Sequence, residues 1–280
     1  MTTDNAGQIA YWNGPNGEMW AKLREKRDRD HAFLTDALLD RSNPRPGERV
    51  LDIGCGSGTT TLKLAERVAP NGYVLGIDIS RPMLGVARRR AIAAKSSALF
   101  AEGDVTDYYE FEPQSFDLAF SQLGVMFFAD PVAAFANVKR AMKPAARLHF
   151  ACWRSPAEHL WAFVPESAAK PFLPPSPPAD PNAPGRYAFQ NPDHVKNLLL
   201  QAGFHDPEFE KLDTQIFAGA TPEEAADAVI EGGPLQRTLT DADETTRAKV
   251  RAAVTERLAK EMGPNGIYLT SAAWLVGASV

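Results

Sequence analysis

The chain predicts an α/β fold in which a doubly wound, mostly parallel sheet is covered on both faces by helices. Three observations lead there. From Arg49 onward, short apolar runs alternate with stretches of helical periodicity. A glycine-spaced turn, Gly54-Cys55-Gly56-Ser57-Gly58, joins the first of those runs to a helix. Acids follow or close successive runs, at Asp52, Asp78 and Asp104.

Taken in order, residues 1–46 read as a tryptophan-bearing loop (residues 11–17) followed by one helix over residues 18–39. Its mixed-sign charges, Lys22 to Asp30, read as a solvated face. Pro44-Arg45-Pro46-Gly47 forces a turn. Residues 50–53 are the first strand and 59–68 the first helix of the sheet. Residues 73–77 form a second strand, and a helix over 81–94 starts after Ser80 with Pro82 in its first turn. The positive run Arg88-Arg89-Arg90 suits the solvated end of that helix. Strands follow at 98–101, 116–121 and 148–153, with helices at 132–142 and 193–202, the latter stopped by Gly203.

Ten of the 22 prolines fall between Pro156 and Pro192, a stretch too poor in backbone donors for sheet interior. Trp161, Phe163, Phe172, Tyr187 and Phe189 argue against a bare linker, so residues 154–192 read as a semi-rigid lid over the end of the sheet. A helical insertion, 219–265, precedes a last strand at 267–276. The expectation is one α/β domain, 47–280, with inserted lids and no second core.

Hydrophobic residues at 44% and charged residues at 23% exclude disorder and collagen. A net charge of −5 leaves no electrostatic footprint for nucleic acid. The uncharged run 118–129 is too short for a membrane span. Two cysteines and a start without a signal-peptide pattern place the chain in a reducing cytoplasm.

The glycine turn carries the chemistry. Glycines at alternate positions let backbone pass close to a ligand, and the N–H groups of the following helix start attract an anion. A dinucleotide site prefers Gly-x-Gly-x-x-Gly. Here the spacing is Gly-x-Gly-x-Gly, with Asp52 ahead of it, a poor neighbour for pyrophosphate but a good partner for an amino-acid ammonium. Asp78, 20 residues beyond Gly58, is placed to bind ribose hydroxyls. Asp104 is placed to accept from an adenine amine, and the Val105 N–H to meet a ring nitrogen. Cys55 reads as a small packing residue, with nothing basic beside it in sequence.

With residues 50–58, 76–80, 103–105, Phe116-Asp117, Ser121-Gln122-Leu123-Gly124 and Met142-Lys143-Pro144, the chain resembles the class I S-adenosylmethionine-dependent methyltransferases, in the broad group of the ubiquinone/menaquinone-biosynthesis enzymes. The resemblance implies a Rossmann-like, seven-stranded sheet with an antiparallel last strand, an N-terminal segment covering the cofactor, and S-adenosyl-L-methionine as that cofactor. Carried over onto this chain, it implies that Asp52, Gly54, Cys55, Gly56 and Gly58 hold the methionine moiety. Asp78, Ile79, Met83, Asp104 and Val105 would hold the nucleoside, and Ser121 and Gln122 would line the methionine and methyl end. Ala145-Ala146 departs from the family's usual glycine pair, at a turn away from the cofactor.

Methyl transfer from a sulfonium is an in-line displacement driven by positioning, and requires neither a covalent nucleophile nor a metal. His159, just past the fifth strand, is the weak candidate for a base where the acceptor needs one. Trp12, Trp20, Trp153 and Trp161 suggest a cleft for a small apolar or aromatic molecule, each with packing as the plainer role. A protein or nucleic-acid acceptor lacks a basic groove and an Asn/Asp-Pro-Pro-aromatic motif. A fold relative that binds the cofactor without transferring methyl remains a third reading. The aromatic inserts also suit a homodimer.

Overall fold

The computed structural model describes residues 5–108, 111–175, 180–231, 233–236, 238–240 and 242–280. The Ser176-Pro177-Pro178 part of the proline run therefore lies outside the described residues. The chain divides into two compact units: Met1–Trp153, Asn182–Lys211 and Trp274–Val280 form the first, Arg154–Pro181 and Leu212–Ala273 the second.

The first unit opens with four short helices, α1 (Ala6–Asn13), α2 (Pro15–Lys22), α3 (Arg24–Asp30) and α4 (Ala32–Ser42), where the sequence suggested a loop and one helix. Gly14-Pro15 separates the first two, since proline lacks an N–H and starts α2. At Leu23 and His31, ψ swings to 12° and 6°, out of the helical basin. Neither residue type forbids helix. The breaks let α3 set Arg27 over Trp20 and Asp28 against Arg90, so tertiary contact overrides propensity.

The sheet follows in the expected alternation: β1 (Arg49–Ile53), α5 (Thr59–Val68), β2 (Tyr73–Asp78), α6 (Arg81–Ala94), β3 (Leu99–Glu102), β4 (Phe116–Gln122), α7 (Pro131–Ala141) and β5 (Met142–Trp153). After α8 (Leu160–Ala169) come α9 (Pro192–Gln201), β6 (His205–Gly219), α10 (Pro222–Glu231) and α11 (Glu244–Ala259). A two-residue β7 (Met262–Gly263) and β8 (Gly266–Ser279) end the chain. Strand order is β3-β2-β1-β4-β5-β8-β6, with β1 to β5 parallel, one antiparallel last strand, and β7 paired antiparallel to β8. The sequence order reverses between β1 and β4, and in open α/β sheets ligands bind beyond the strand ends at such a point. β6 escaped the sequence reading because its first half is charged and exposed, as an edge strand tolerates.

Leu51, Ile53, Ile77, Leu118, Phe120 and Phe150 fill the sheet core, sealed by Leu64, Leu84 and Phe135 from the helices. The second unit, expected as lids without a core, has one: Val164 and Ala169 pack with Ala226, Val229, Val250, Val254 and Leu258. Those residues come from both insertions, α8 from one and α10 and α11 from the other. No helix among the described residues is long and apolar enough to cross a membrane.

Candidate functional site

The glycine turn lies where β1 passes into α5. Gly54 takes φ +64°, and a Cβ there would stand 2.8 Å from Cα of Gly124, so the turns after β1 and β4 touch backbone to backbone. The N–H groups of the turn itself, ahead of the helix start, are used within the fold. Those of Gly54 and Cys55 donate to the Ile77 carbonyl, that of Gly56 to Asp78 Oδ2 at 2.8 Å, and that of Gly58 to the Cys55 carbonyl. The turn is therefore held to the end of β2. Arg90 reinforces it: rather than being simply solvated, its guanidinium donates to the Ser57 carbonyl, to Thr59 Oγ1 and to Asp28.

Asp52 is fully buried. Its Oδ2 accepts from Thr60 Oγ1 and Thr61 Oγ1, both at 2.6 Å, while Oδ1 has no partner. Burial pushes its carboxyl up to about 7, against the two hydroxyl bonds and with help from the charge of Asp78. On the neighbouring strand, Gln122 Oε1 is likewise buried without a donor. A buried acceptor without a donor costs free energy, so two of them beside a glycine turn mark a place for a cation or N–H group. The next residue, Leu123, adopts φ +62°, a strained conformation at the mouth of the site.

Asp78 accepts from Gly56 N through Oδ2 and from Ser80 N through Oδ1, both at 2.8 Å, and burial raises its carboxyl to about 6. Each oxygen retains a second lone pair. Asp104 takes the Thr106 N–H on Oδ1 and the Asn5 amide on Oδ2, so the residue just ahead of α1 already covers the acid assigned to adenine. Asn5 Oδ1 is buried and unpaired there. The Val105 carbonyl accepts from Asn137. The Ile79 carbonyl accepts from Asn13, and Met83 packs with Trp12 and Val86, so both lie beneath the N-terminal helices.

Of the four tryptophans, Trp12 and Trp20 meet edge to face at 5.7 Å, and Trp12 also meets Tyr11 and Phe127 at 5.1 Å. Trp153, ending β5, packs against His31. Trp161 instead joins the core of the second unit. His159 also belongs there: only 2% exposed, its Nδ1 accepts the Ala272 N–H at 3.3 Å. A ring so enclosed is a packing residue, which corrects its reading as a base. Ser121 donates Oγ–H to the Ile53 carbonyl at 2.7 Å, joining β4 to β1. Burial keeps the Cys55 thiol protonated, in keeping with a packing role. Thr60, Thr61 and Asn5 were missed; the Thr59-Thr60-Thr61 run behind the glycines was the available signal for the first two.

Residues 50–145 match the family model described as a methyltransferase domain. The matched stretch runs from β1 into the start of β5 of the Rossmann-like sheet. It is 32% identical over 179 residues to nocamycin O-methyltransferase of Saccharothrix syringae, covering 60% of this chain and 62% of that one. It is 36% identical over 140 residues to aklanonic acid methyltransferase of Streptomyces, covering 49% and 58%. The chain spans about three fifths of the length of these two relatives. A solved phosphoethanolamine N-methyltransferase 2 of Haemonchus contortus, in complex with S-adenosyl-L-methionine, shares the fold at TM-score 0.54 and 22% identity, over 88% of this chain and 52% of that one.

Proposed function

We propose that this protein transfers the methyl group of S-adenosyl-L-methionine to a small apolar or aromatic molecule. The observation that carries the reading is the pair of buried, donorless acceptors, Asp52 Oδ1 and Gln122 Oε1, beside the Gly54–Gly124 contact. An ammonium has three donors to offer such acceptors, and a neutral amide or water has fewer. When bound, the cofactor supplies an electrophilic methyl on a sulfonium. Asp52 and Gln122 anchor its amino-acid end, Asp78 accepts from ribose hydroxyls with its remaining lone pairs, and Asp104 with Asn5 closes the adenine end. Ile79 and Met83 supply apolar surface. The work left to the chain is alignment and exclusion of water, for which the wall of Tyr11, Trp12, Trp20 and Phe127 is suited.

The small-molecule acceptor is supported by that wall and by the small-molecule names of the relatives. Titration calorimetry with S-adenosylhomocysteine tests the cofactor site, with micromolar binding expected and loss in Asp52→Ala. Absence of binding overturns the reading. Release of adenosylhomocysteine on incubation with a panel of aromatic acceptors tests transfer.

A further inference from the structure

The aromatic wall contains a cation that cofactor binding does not employ. Arg27, on α3, places Cζ 3.5 Å from the centre of the Trp20 ring, so the indole covers one face of the guanidinium and fixes its plane. Arg27 Nε is buried and has no hydrogen-bond partner. No carboxylate among the described residues forms an ion pair with it. Asp30, on the same helix, is paired with Lys26 at 2.8 Å, and its charge only partly offsets the lowering of Arg27. Burial lowers Arg27 to about 10, and the charge of Arg186 acts in the same direction, so a second cation faces this one. His31, against Trp153, is lowered by burial and then by Arg27 to about 4, and is neutral at pH 7. The two side chains keep part of their surface accessible while being hemmed in by neighbours, the condition of a cleft wall.

We infer that Arg27 is the anion-binding residue of the acceptor pocket, and that the acceptor carries a carboxylate on an aromatic or apolar body. With one face on Trp20, the guanidinium is approached along its edge, where Nε–H and the adjacent Nη–H lie parallel. A planar carboxylate meets both at once, whereas a single oxygen meets one. Tyr11 and Phe127, half-buried against the buried Trp12, provide surface for the body of the same molecule. The inference rests on the methyl-transfer reading for the pocket's role, but the cation's preference can be measured without turnover.

Calorimetric titration with 2-naphthoate and its neutral counterpart 2-naphthamide, with and without saturating adenosylhomocysteine, makes the test. The expected result is naphthoate binding about tenfold or more tighter than naphthamide. That preference should vanish in Arg27→Met, survive in part in Arg27→Lys, and persist in Arg29→Met, which removes an exposed charge from the same helix. Adenosylhomocysteine binding by each variant reports the fold. Equal affinity for the two probes, including no measurable binding of either, or an unchanged preference in Arg27→Met, overturns the inference. Loss of adenosylhomocysteine binding by the unaltered protein instead strikes the methyl-transfer reading, and leaves the comparison of probes on the cofactor-free protein to be judged alone.

Discussion

Asp78 Oδ2 accepts the backbone N–H of Gly56 at 2.8 Å, so the acid that ends β2 also sets the shape of the turn that follows β1. Its other oxygen holds Ser80 N at the start of α6. Replacing Asp78 with alanine strands two backbone donors as well as removing the proposed ribose contact. Stability should fall by about 1–3 kcal/mol, and adenosylhomocysteine affinity by at least tenfold. Denaturation and calorimetry on Asp78→Ala check both. A stable variant with unchanged affinity would place the nucleoside elsewhere.

The carboxyls of Asp52 and Asp78 are raised from 3.8 to about 7 and about 6, mainly by burial. The folded chain therefore retains protons that the unfolded chain loses above about pH 4, and these two groups make stability fall as pH rises from about 4 to about 7. Cofactor binding has the opposite sense, because an ammonium beside Asp52 favours the ionised form. Adenosylhomocysteine affinity should rise between pH 5.5 and 7.5 with proton release on binding. Calorimetry in two buffers of different ionisation enthalpy reads that proton, and Asp52→Asn should abolish its release. Proton uptake, or none, would remove Asp52 from the amino-acid end.

Gly54 and Gly85 make opposite predictions for one substitution. Gly54 combines φ +64° with a Cβ position 2.8 Å from Gly124 Cα, where neither backbone can yield cheaply. Gly54→Ala should cost roughly 2–5 kcal/mol, from left-handed strain and overpacking together. Gly85 lies inside α6, where a Cβ meets only the flexible Arg89 Nη1 at 3.6 Å. Gly85→Ala should stabilise by up to about 1 kcal/mol. Urea denaturation of the two variants side by side decides whether the turn or general helix propensity governs.

The parts legible in sequence are those fixed by local chemistry. α5 and α6 span the residues expected, because a glycine turn, a Ser80-Arg81-Pro82 start and apolar periodicity are all written within a few positions. What escaped depends on distant partners. The charge run on α3 reads as solvated until Trp20 and Arg90 are placed against it. The core of the second unit joins Val164 to Val229 and Val254, with α9 and β6 lying between the first two in sequence. His159 lies near a strand end in sequence, but its ring is enclosed through Ala272, more than a hundred residues on.

Ala145 stands at φ +63° inside the irregular start of β5, at the first position of the alanine pair that replaces the family's glycines. Pairing between β4 and β5 slips there, between Phe116 and Leu118. The slip accounts for the conformation: a bulged residue is turned out of the ladder into a region that a Cβ disfavours. An L-residue pays ~1–2 kcal/mol for it, while glycine adds ~0.4–1 kcal/mol of unfolded-chain freedom to be lost on folding. Ala145→Gly should therefore stabilise the protein, by up to about 1 kcal/mol. The neighbouring Ala146 has no positive φ and is 4% exposed, so Ala146→Gly should destabilise by a similar amount. Denaturant midpoints of the two variants give the comparison. Destabilisation by both would mean that the departure from the glycine pair carries no strain. Adenosylhomocysteine affinity should be unchanged in either, since the turn lies at the end of β5 opposite to Trp153.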